Sequence, residues 1–329
     1  MFGNVERSLC LGFAVEIGRH WSLCCGAIMG ADMTDKCIGF RGGLLLDEAR
    51  SNWSGDGPRP VRWSAWYPAA AGSLTREIAI PPGRPLYSLG RLALEAPVSA
   101  GADRYPVVLI SHGTGGSASG LGWLASALAA EGCVVLGVDH HGNTGVEAYR
   151  AEGFLCWWER ARDLSFLLDC LSSKGMFAGR LDLADVTATG FSLGGYTALA
   201  LAGAVTETQR MMDFVKDHPE TAGPQEMPDL SGQIEPLLAA SSVFRQSWER
   251  QSQTYRDGRV RAVVAIAPAP PVRGFTEESL RGIQVPVTIL CGEADEEAPY
   301  DLCSAWLNER LPNSSLTSLG KGVGHYTLL

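Results

Sequence analysis

Apolar or β-prone runs of strand length recur along the chain and alternate with stretches that have helical spacing. Runs that are apolar at nearly every position are typical of strands buried on both faces of a parallel sheet. The runs lie at 106–110, 133–138, 186–191, 259–267 and 285–291. Between them, Cys156–Leu171 carries tryptophan and leucines at the spacing of one helix face. The alternation predicts a mostly parallel central sheet with helices on both faces.

Two opening segments and two long interruptions complete the predicted layout. The aromatic-rich run Val61–Tyr67 alternates and is predicted to pair with Gly39–Asp47 as antiparallel strands. Residues 68–104 carry prolines and glycines with little periodicity, which predicts a long surface excursion. The segment from about 203 to 257 is polar and interrupted by prolines. An insertion of this size between core strands predicts a helical cap over the functional site, with a solvated surface insertion as the alternative.

The first 36 residues differ from the rest of the chain. Their apolar stretches are interrupted by Glu16, Arg19 and His20, and the start carries Glu6 beside Arg7. A secretory signal has one unbroken apolar core after a basic start. Residues 1–36 are therefore predicted to form a poorly ordered N-terminal extension, with a cleaved secretory signal as the alternative, and residues 37–329 one domain. No apolar run reaches the ~18 residues of a membrane span.

Composition narrows the classes of function. The chain has 329 residues, of which 46% are hydrophobic and 19% charged, and its net charge is -9. This balance, without a basic patch, argues against a nucleic-acid partner. The nine cysteines form no Cys-x-x-Cys pair, which argues against a disulfide framework or a zinc site. Their pattern favours a reducing, cytoplasmic compartment, and a secreted or periplasmic location is the alternative.

The stretch Val186–Ala200 is predicted to form a strand, a tight turn and a helix around one serine. Its centre has Gly-x-Ser-x-Gly spacing, with Gly190, Ser192 and Gly194. Such a turn lifts a serine hydroxyl above the sheet, and the glycines let neighbouring backbone pack closely. The following helix directs its positive end at an oxyanion formed there. Ser192 is therefore interpreted as a nucleophile, and an ordinary glycine-rich turn is the alternative.

A serine nucleophile in this arrangement needs an acid and then a base later in the chain. Two histidines follow Ser192: His218 lies inside the insertion, and His325 lies in the loop after the last predicted strand. The predicted base is His325. The predicted acid is Asp295, because it follows the strand at 285–291, at the sheet edge where catalytic residues collect. Spacing alone leaves three neighbouring carboxylates as alternatives: Glu293, Glu296 and Glu297.

The oxyanion needs two backbone N–H donors. One is predicted to come from Leu193, directly after the nucleophile. The other is predicted to come from the loop after the strand at 106–110, with Thr114 as first choice and Gly115 as second.

Other histidines and charges receive supporting roles. His112, His140 and His141 lack a carboxylate or cysteine partner at a ligand spacing, so turn and supporting roles are predicted for them, and no metal site. The charged residues within 157–163 are predicted to be structural and to pair with a neighbouring loop.

Six segments together resemble bacterial dienelactone hydrolase-like proteins, which are akin to the platelet-activating factor acetylhydrolases within the α/β-hydrolase superfamily. They are Trp66-Tyr67-Pro68, Ser111–Gly116, Asp139–Asn143, Trp158-Glu159-Arg160, Gly190–Gly195 and Gly324-His325-Tyr326. The resemblance runs from about Gly39 to the end of the chain. It implies an α/β-hydrolase fold and a carboxylic ester hydrolase with no metal or organic cofactor.

Two departures qualify this resemblance. Dienelactone hydrolases use a cysteine where this chain has Ser192. In the platelet-activating factor enzymes the acid follows the strand after the nucleophile, but here that loop is Ala267-Pro268-Ala269-Pro270. The acid is therefore expected at Asp295, as in the wider superfamily.

The sequence thus predicts a serine esterase that acts on small or short-acyl esters through Ser192, His325 and Asp295. Its expected partner is a small-molecule ester, with no nucleic acid and no membrane span. The alternatives are a thioester, lactone or amide hydrolase with the same triad, or a catalytically silent hydrolase-fold protein that binds a ligand.

Overall fold

The computed structural model describes residues 36–80 and 87–329, and these residues contain ten strands in one mixed sheet. The strands are β1 (Ile38–Ser51), β2 (Pro58–Pro68), β3 (Arg76–Ile80), β4 (Tyr87–Leu94), β5 (Tyr105–Ser111), β6 (Val134–Asp139), β7 (Leu181–Phe191), β8 (Val260–Ile266), β9 (Val287–Cys291) and β10 (Ser314–Ser318). Across the sheet their order is β10-β9-β8-β7-β5-β6-β2-β1-β4-β3. The extension predicted for residues 1–36 lies, apart from Lys36, outside the described residues.

Six neighbouring strands, from β6 through β5, β7, β8 and β9 to β10, pair in parallel. β6 is buried at every position, which explains its continuous apolar sequence. β2 joins β6 and β1 in antiparallel pairs, so the predicted opening pair is present. Because parallel strands end at the same edge, the loops that follow β5, β7, β8 and β9 lie close together.

Helices cover both faces of the sheet, as predicted. They are α1 (Gly122–Ala130), α2 (Ala151–Leu155), α3 (Glu159–Ser173), α4 (Leu193–Ala202), α5 (Thr208–Asp217), α6 (Ile234–Ala240), α7 (Ser242–Trp248), α8 (Glu277–Arg281) and α9 (Trp306–Asn308), the last continuing a π-type turn at Asp301–Ala305. Along β5, Val107 and Leu109 belong to the core that contains α3 and α4, whereas Val108 and Ile110 belong to the core that contains α1. Among the described helices, none has both the length and the apolar character needed to cross a membrane.

The prediction of a surface excursion at 68–104 is wrong. β3 and β4 pair with each other, and β4 adds to the sheet beside β1. Ile78 lies opposite Gly90 and Ala79 opposite Ser88, so Leu89 is the extra residue of a β-bulge. The bulge breaks the two-residue alternation, although Leu89 is buried. This explains why the strand pattern is not visible in the sequence.

The insertion between α4 and β8 is helical, as predicted for the cap. It contains α5, α6 and α7. Leu230 and Phe244 of the insertion share a small core with Phe154 and Trp158 of the α2–α3 segment. The Trp158 indole also donates to the backbone oxygen of Ser247 at 3.1 Å. The cap is therefore packed onto the domain through its own apolar core.

Candidate active site

The turn between β7 and α4 holds Ser192 in a strained backbone conformation. Its φ is 56° and its ψ is -119°, values that a residue with a side chain rarely adopts. The Ser192 N–H donates to the oxygen of Ile266 at 2.8 Å, and the Ser192 carbonyl accepts from Gly195 at 2.9 Å. Bonds to β8 and to the first turn of α4 thus maintain the strain. The serine is 6% exposed.

The glycines that flank Ser192 are required by close packing. A Cβ on Gly194 would lie 2.7 Å from the carbonyl carbon of Ser111 and would overlap its oxygen. A Cβ on Gly190 would lie 2.7 Å from the Gly194 Cα. The turn is therefore pressed against the end of β5, whose following loop carries the candidate oxyanion donor. This contact accounts for the Gly-x-Ser-x-Gly spacing.

His325 and Asp295 form a buried hydrogen-bonded pair. The Nδ1 atom of His325 lies 2.8 Å from Oδ2 of Asp295, and the residues are 7% and 5% exposed. The other carboxylate oxygen, Oδ1, accepts from the Ala298 N–H at 2.7 Å, which fixes the orientation of the acid. The imidazole ring lies 4.6 Å from the ring of Phe191, centroid to centroid. The base candidate is thus positioned beside the residue that precedes Ser192.

The alternative acids have other partners or are exposed. Glu293 accepts from the Ser318 hydroxyl at 2.6 Å, and Glu297 accepts from the Gln225 side chain at 2.8 Å. Glu296 is exposed. His218 interacts with Glu220 at 3.3 Å within the insertion. Of the candidates, Asp295 is the carboxylate that the structure brings to His325.

The two candidate oxyanion donors in the loop after β5, Thr114 and Gly115, differ in their hydrogen-bond partners. The Gly115 N–H donates to Oδ1 of Asn143 at 2.7 Å, so it is already engaged. Thr114 lines the same cavity as Ser192 and Leu193. The geometry therefore favours Thr114 over Gly115. The sequence gives no signal for the role of Asn143, because it lies in a different loop.

His112 holds the peptide unit that carries the Thr114 N–H. Its Nε2 accepts from the His140 N–H at 3.1 Å, so the ring proton is on Nδ1, which donates to the Gly113 oxygen at 2.6 Å. Burial, with the charge of Arg160 and with His140, holds the pKa of His112 well below its usual range, and the ring is neutral. A hydrogen bond to the carbonyl of a peptide polarises the N–H of the same peptide. His112 is therefore a supporting residue, in line with its predicted role.

A buried ionic cluster lies behind this loop, and its pairing is not visible in the sequence. Asp163 accepts from Arg59 at 2.8 and 2.9 Å, contacts Arg50 at 2.7 Å, and lies 3.1 Å from His140 Nδ1. The other ring nitrogen of His140 lies 2.9 Å from the Ser111 hydroxyl. The cluster thus connects α3 to the last residue of β5.

Electrostatics keep this cluster in fixed charge states. Burial alone would raise the pKa of Asp163, but Arg59, Arg50 and the hydrogen bond from His140 outweigh it, and the pKa lies well below its usual range. Burial, followed by the charge of Arg160, lowers the pKa of His140 to about 3. Arg160 itself is buried and donates to the carbonyl oxygen of His112. The charged residues of α3 therefore support the loop after β5 from behind.

The described part of the chain contains no group of three or more His, Cys, Asp or Glu side chains arranged to hold a metal ion. His140 and His112 instead have the protein partners given above, and His141 pairs with Glu147 at 2.7 Å.

Four candidate residues line one cavity of about 650 Å³: Thr114, Ser192, Leu193 and His325. Ser192, His325 and Thr114 lie on the wall formed by the sheet edge. Other lining residues come from the α2–α3 segment and from the cap, including α5. Pockets of this volume enclose most of a drug-sized ligand. The arrangement can therefore hold a small molecule against a serine, an imidazole and backbone N–H groups.

Comparisons with known proteins agree with the fold. Residues 107–329, more than half of the chain, match the profile of the family described as "Alpha/beta hydrolase family". No curated protein sequence matches the chain. The solved structure of a ferulic acid esterase from Streptomyces cinnamoneus is similar, with a TM-score of 0.56 and 20% identity over 88% of this chain and 75% of that chain. At that identity the likeness shows a shared fold. On the family match, the chain belongs to the alpha/beta hydrolase family.

Proposed function

We propose that the protein is a serine carboxylic-ester hydrolase that works through an acyl-enzyme. The observation that carries the proposal is the 2.8 Å contact between Asp295 and His325, which lines the same cavity as the strained Ser192. The resemblance to dienelactone hydrolase-like and platelet-activating factor acetylhydrolase-like proteins supports ester substrates. The ferulic acid esterase fold is a further support of the same kind.

In the proposed reaction, the roles of the triad follow from the hydrogen bonds. Because Nδ1 of His325 faces a carboxylate oxygen, it carries the ring proton, and Nε2 is free to accept the proton of the Ser192 hydroxyl. The serine oxygen attacks the ester carbonyl carbon, and the imidazolium then gives its proton to the leaving alcohol. Water repeats the sequence on the acyl-enzyme and releases the acid. Asp295 keeps the imidazole in the required tautomer and stabilises its charge.

The oxyanion is proposed to bind the N–H groups of Leu193 and Thr114. Leu193 begins α4, so its N–H belongs to the positive end of that helix. The Thr114 N–H belongs to the peptide that His112 holds at 2.6 Å. One donor of this kind is typically worth ~3 kcal/mol of transition-state stabilisation.

The proposal is tested by the burst of p-nitrophenol released from a short-chain p-nitrophenyl ester. In Ser192→Ala we expect the burst to disappear and kcat to fall at least about 10⁴-fold. Ser252→Ala is the matched control, because Ser252 is exposed and does not line the cavity. Labelling by a fluorophosphonate probe should require Ser192 in the same way. An unchanged rate in Ser192→Ala would reject the assignment.

The bond that is cleaved is a separate question. A thioester, a lactone or an amide would meet the same side chains, so a panel of activated substrates with matched acyl groups is needed to distinguish them. For the location of the protein, a reducing compartment suits the six described cysteines, none of which is in a disulfide.

A further inference from the structure

Part of the cap side of the cavity is lined by large apolar side chains, and this part is called the cap wall. Phe154 and Leu155 come from α2, and Met211, Met212 and Val215 come from α5. Leu230, Ile234 and Trp248 extend the wall along the rest of the insertion. Burial of apolar surface against such a wall is favourable in proportion to the area covered. A cavity of about 650 Å³ therefore has room and surface for more than an acetyl or propionyl group.

The charged side chains that line the cavity carry one sign. They are the carboxylates of Glu220, Glu226, Glu296 and Glu297. The lining also contains the imidazoles of His112, which is neutral, and of His325. No lysine or arginine lies among the described lining residues. A cleft whose charges share one sign concentrates ligands of opposite charge and excludes ligands of the same charge. The lining thus opposes any substrate that carries a carboxylate or a phosphate.

These carboxylates lie near the candidate catalytic residues. Burial, together with Glu297, Glu226 and Asp295, raises the pKa of Tyr326, which follows His325 directly. Glu297 also accepts from Gln225 of the cap at 2.8 Å, so it lies where the cap meets the loop of the acid. The negative field therefore acts within the part of the cavity where an ester would react.

We infer that the substrate is an uncharged or cationic ester with a bulky apolar group, and that the cavity selects against anionic esters. The inference rests on the proposed ester hydrolysis and specifies its substrate class. The apolar group packs on the cap wall formed by α5 and its neighbours. The carboxylates at the junction of cap and core set the charge preference.

The test uses p-nitrophenyl esters of matched length, with kcat/KM measured at low and at high salt. The neutral member is the hexanoate, the anionic member is the hemiadipate, and the cationic member carries a trimethylammonium group at the chain end. At low salt we expect kcat/KM for the hemiadipate to be at least about tenfold lower than for the hexanoate. The difference in kcat/KM should become smaller at high salt, because salt screens the charges of the cavity. The cationic ester should react at least as well as the hexanoate. Acetate, butyrate and hexanoate should show kcat/KM rising a few-fold per added methylene.

Two variants localise the effect. Replacing Glu226 and Glu297 together by glutamine should raise the ratio of hemiadipate to hexanoate rates several-fold. Glu235→Gln removes an exposed charge of α6 that does not line the cavity, so this control should leave the ratio unchanged. Equal rates for hemiadipate and hexanoate at low salt would overturn the charge selection. A higher kcat/KM for the acetate than for the hexanoate would contradict the packing of an apolar group on the cap wall.

Failure of the proposed function would look different. In that case no ester would react, and the fluorophosphonate probe, which is uncharged, would not label Ser192. Labelling without hydrolysis of any member of the series would leave a competent serine and would overturn this substrate class.

Discussion

The loop that carries His325 is closely packed against Gly292, and this contact provides a test of the proposed role of His325. Gly292 follows the last residue of β9, and it is packed against the backbone of Val323. A Cβ on Gly292 would lie 2.6 Å from the carbonyl carbon and 2.9 Å from the Cβ of Val323, and it would overlap the Val323 oxygen. That oxygen also accepts from the Ala294 N–H at 3.1 Å.

The variant Gly292→Ala must therefore displace this loop. Carbon atoms in contact normally lie about 3.5–4.0 Å apart, so Val323 has to move by roughly 1 Å. His325 is two residues further on, and its hydrogen bond to Asp295 limits how much of the movement the chain between can absorb. A misplacement of about 1 Å at a catalytic group costs on the order of 10²-fold in rate. We expect kcat to fall by about that factor, equivalent to ~2.7 kcal/mol of transition-state stabilisation.

The assay is steady-state hydrolysis of a p-nitrophenyl ester, together with the rate of fluorophosphonate labelling and the thermal midpoint by circular dichroism. The matched control is Gly322→Ala in the same loop, because a Cβ there meets no heavy atom within 4 Å. The control should keep its activity, and both variants should remain folded at the assay temperature. If Gly292→Ala kept kcat within twofold of the wild type, either the loop would be free to yield or His325 would not be the base.

Two further predictions concern buried charges. Asp163→Asn leaves Arg50 and Arg59 without their shared carboxylate. We expect its free energy of unfolding, measured in urea, to be lower than that of the wild type by about 3–5 kcal/mol. The control Asp169→Asn, at an exposed position of the same helix, should change this free energy by less than ~0.5 kcal/mol. Burial raises the pKa of Asp139 from 3.8 to about 6, so the folded state binds the proton of this carboxyl more tightly than the unfolded state does. The contribution of Asp139 to the free energy of unfolding therefore falls as the pH rises from about 4 to about 6. Asp139→Asn keeps an acceptor for the Ala118 N–H but has no proton to lose. The free energy of unfolding of this variant, relative to the wild type, should therefore increase by up to ~3 kcal/mol as the pH rises from 4 to 8. A difference that does not change with pH would contradict this reasoning.

The parts of the candidate site that could be predicted depend on local sequence or on chain order. The turn at Ser192 is visible because strand, glycine spacing and helix lie within fifteen residues. His325 follows from its place after the last core strand. Asp295 could not be separated from its neighbours by spacing, because four carboxylates lie within five positions. The orientation of the loop, fixed by the Ala298 N–H, decides which of them meets His325.

The parts that could not be predicted depend on contacts between residues far apart in the chain. Arg59 and Asp163 are 104 positions apart, and no local pattern pairs them. The choice between Thr114 and Gly115 depends on Asn143, which is 28 positions from Gly115. The strands within 68–104 cannot be recognised from the sequence for a different reason. A bulge at Leu89 breaks the alternation by which a short strand is identified.

The core side and the cap side of the cavity are held in place by different kinds of contact, and this difference has a functional consequence. On the core side, Gly194 and Gly292 are packed against backbone without space for a methyl group, and the buried ionic cluster fixes the loop before Thr114. On the cap side, the described residues have one side-chain hydrogen bond between the cap and the loop that contains Asp295, from Gln225 to Glu297. We therefore expect substitutions in the cap to change the shape and charge of the cavity lining without moving Ser192 or His325. Selection for a new ester in this chain should act first on α5 and on the segment around Gln225.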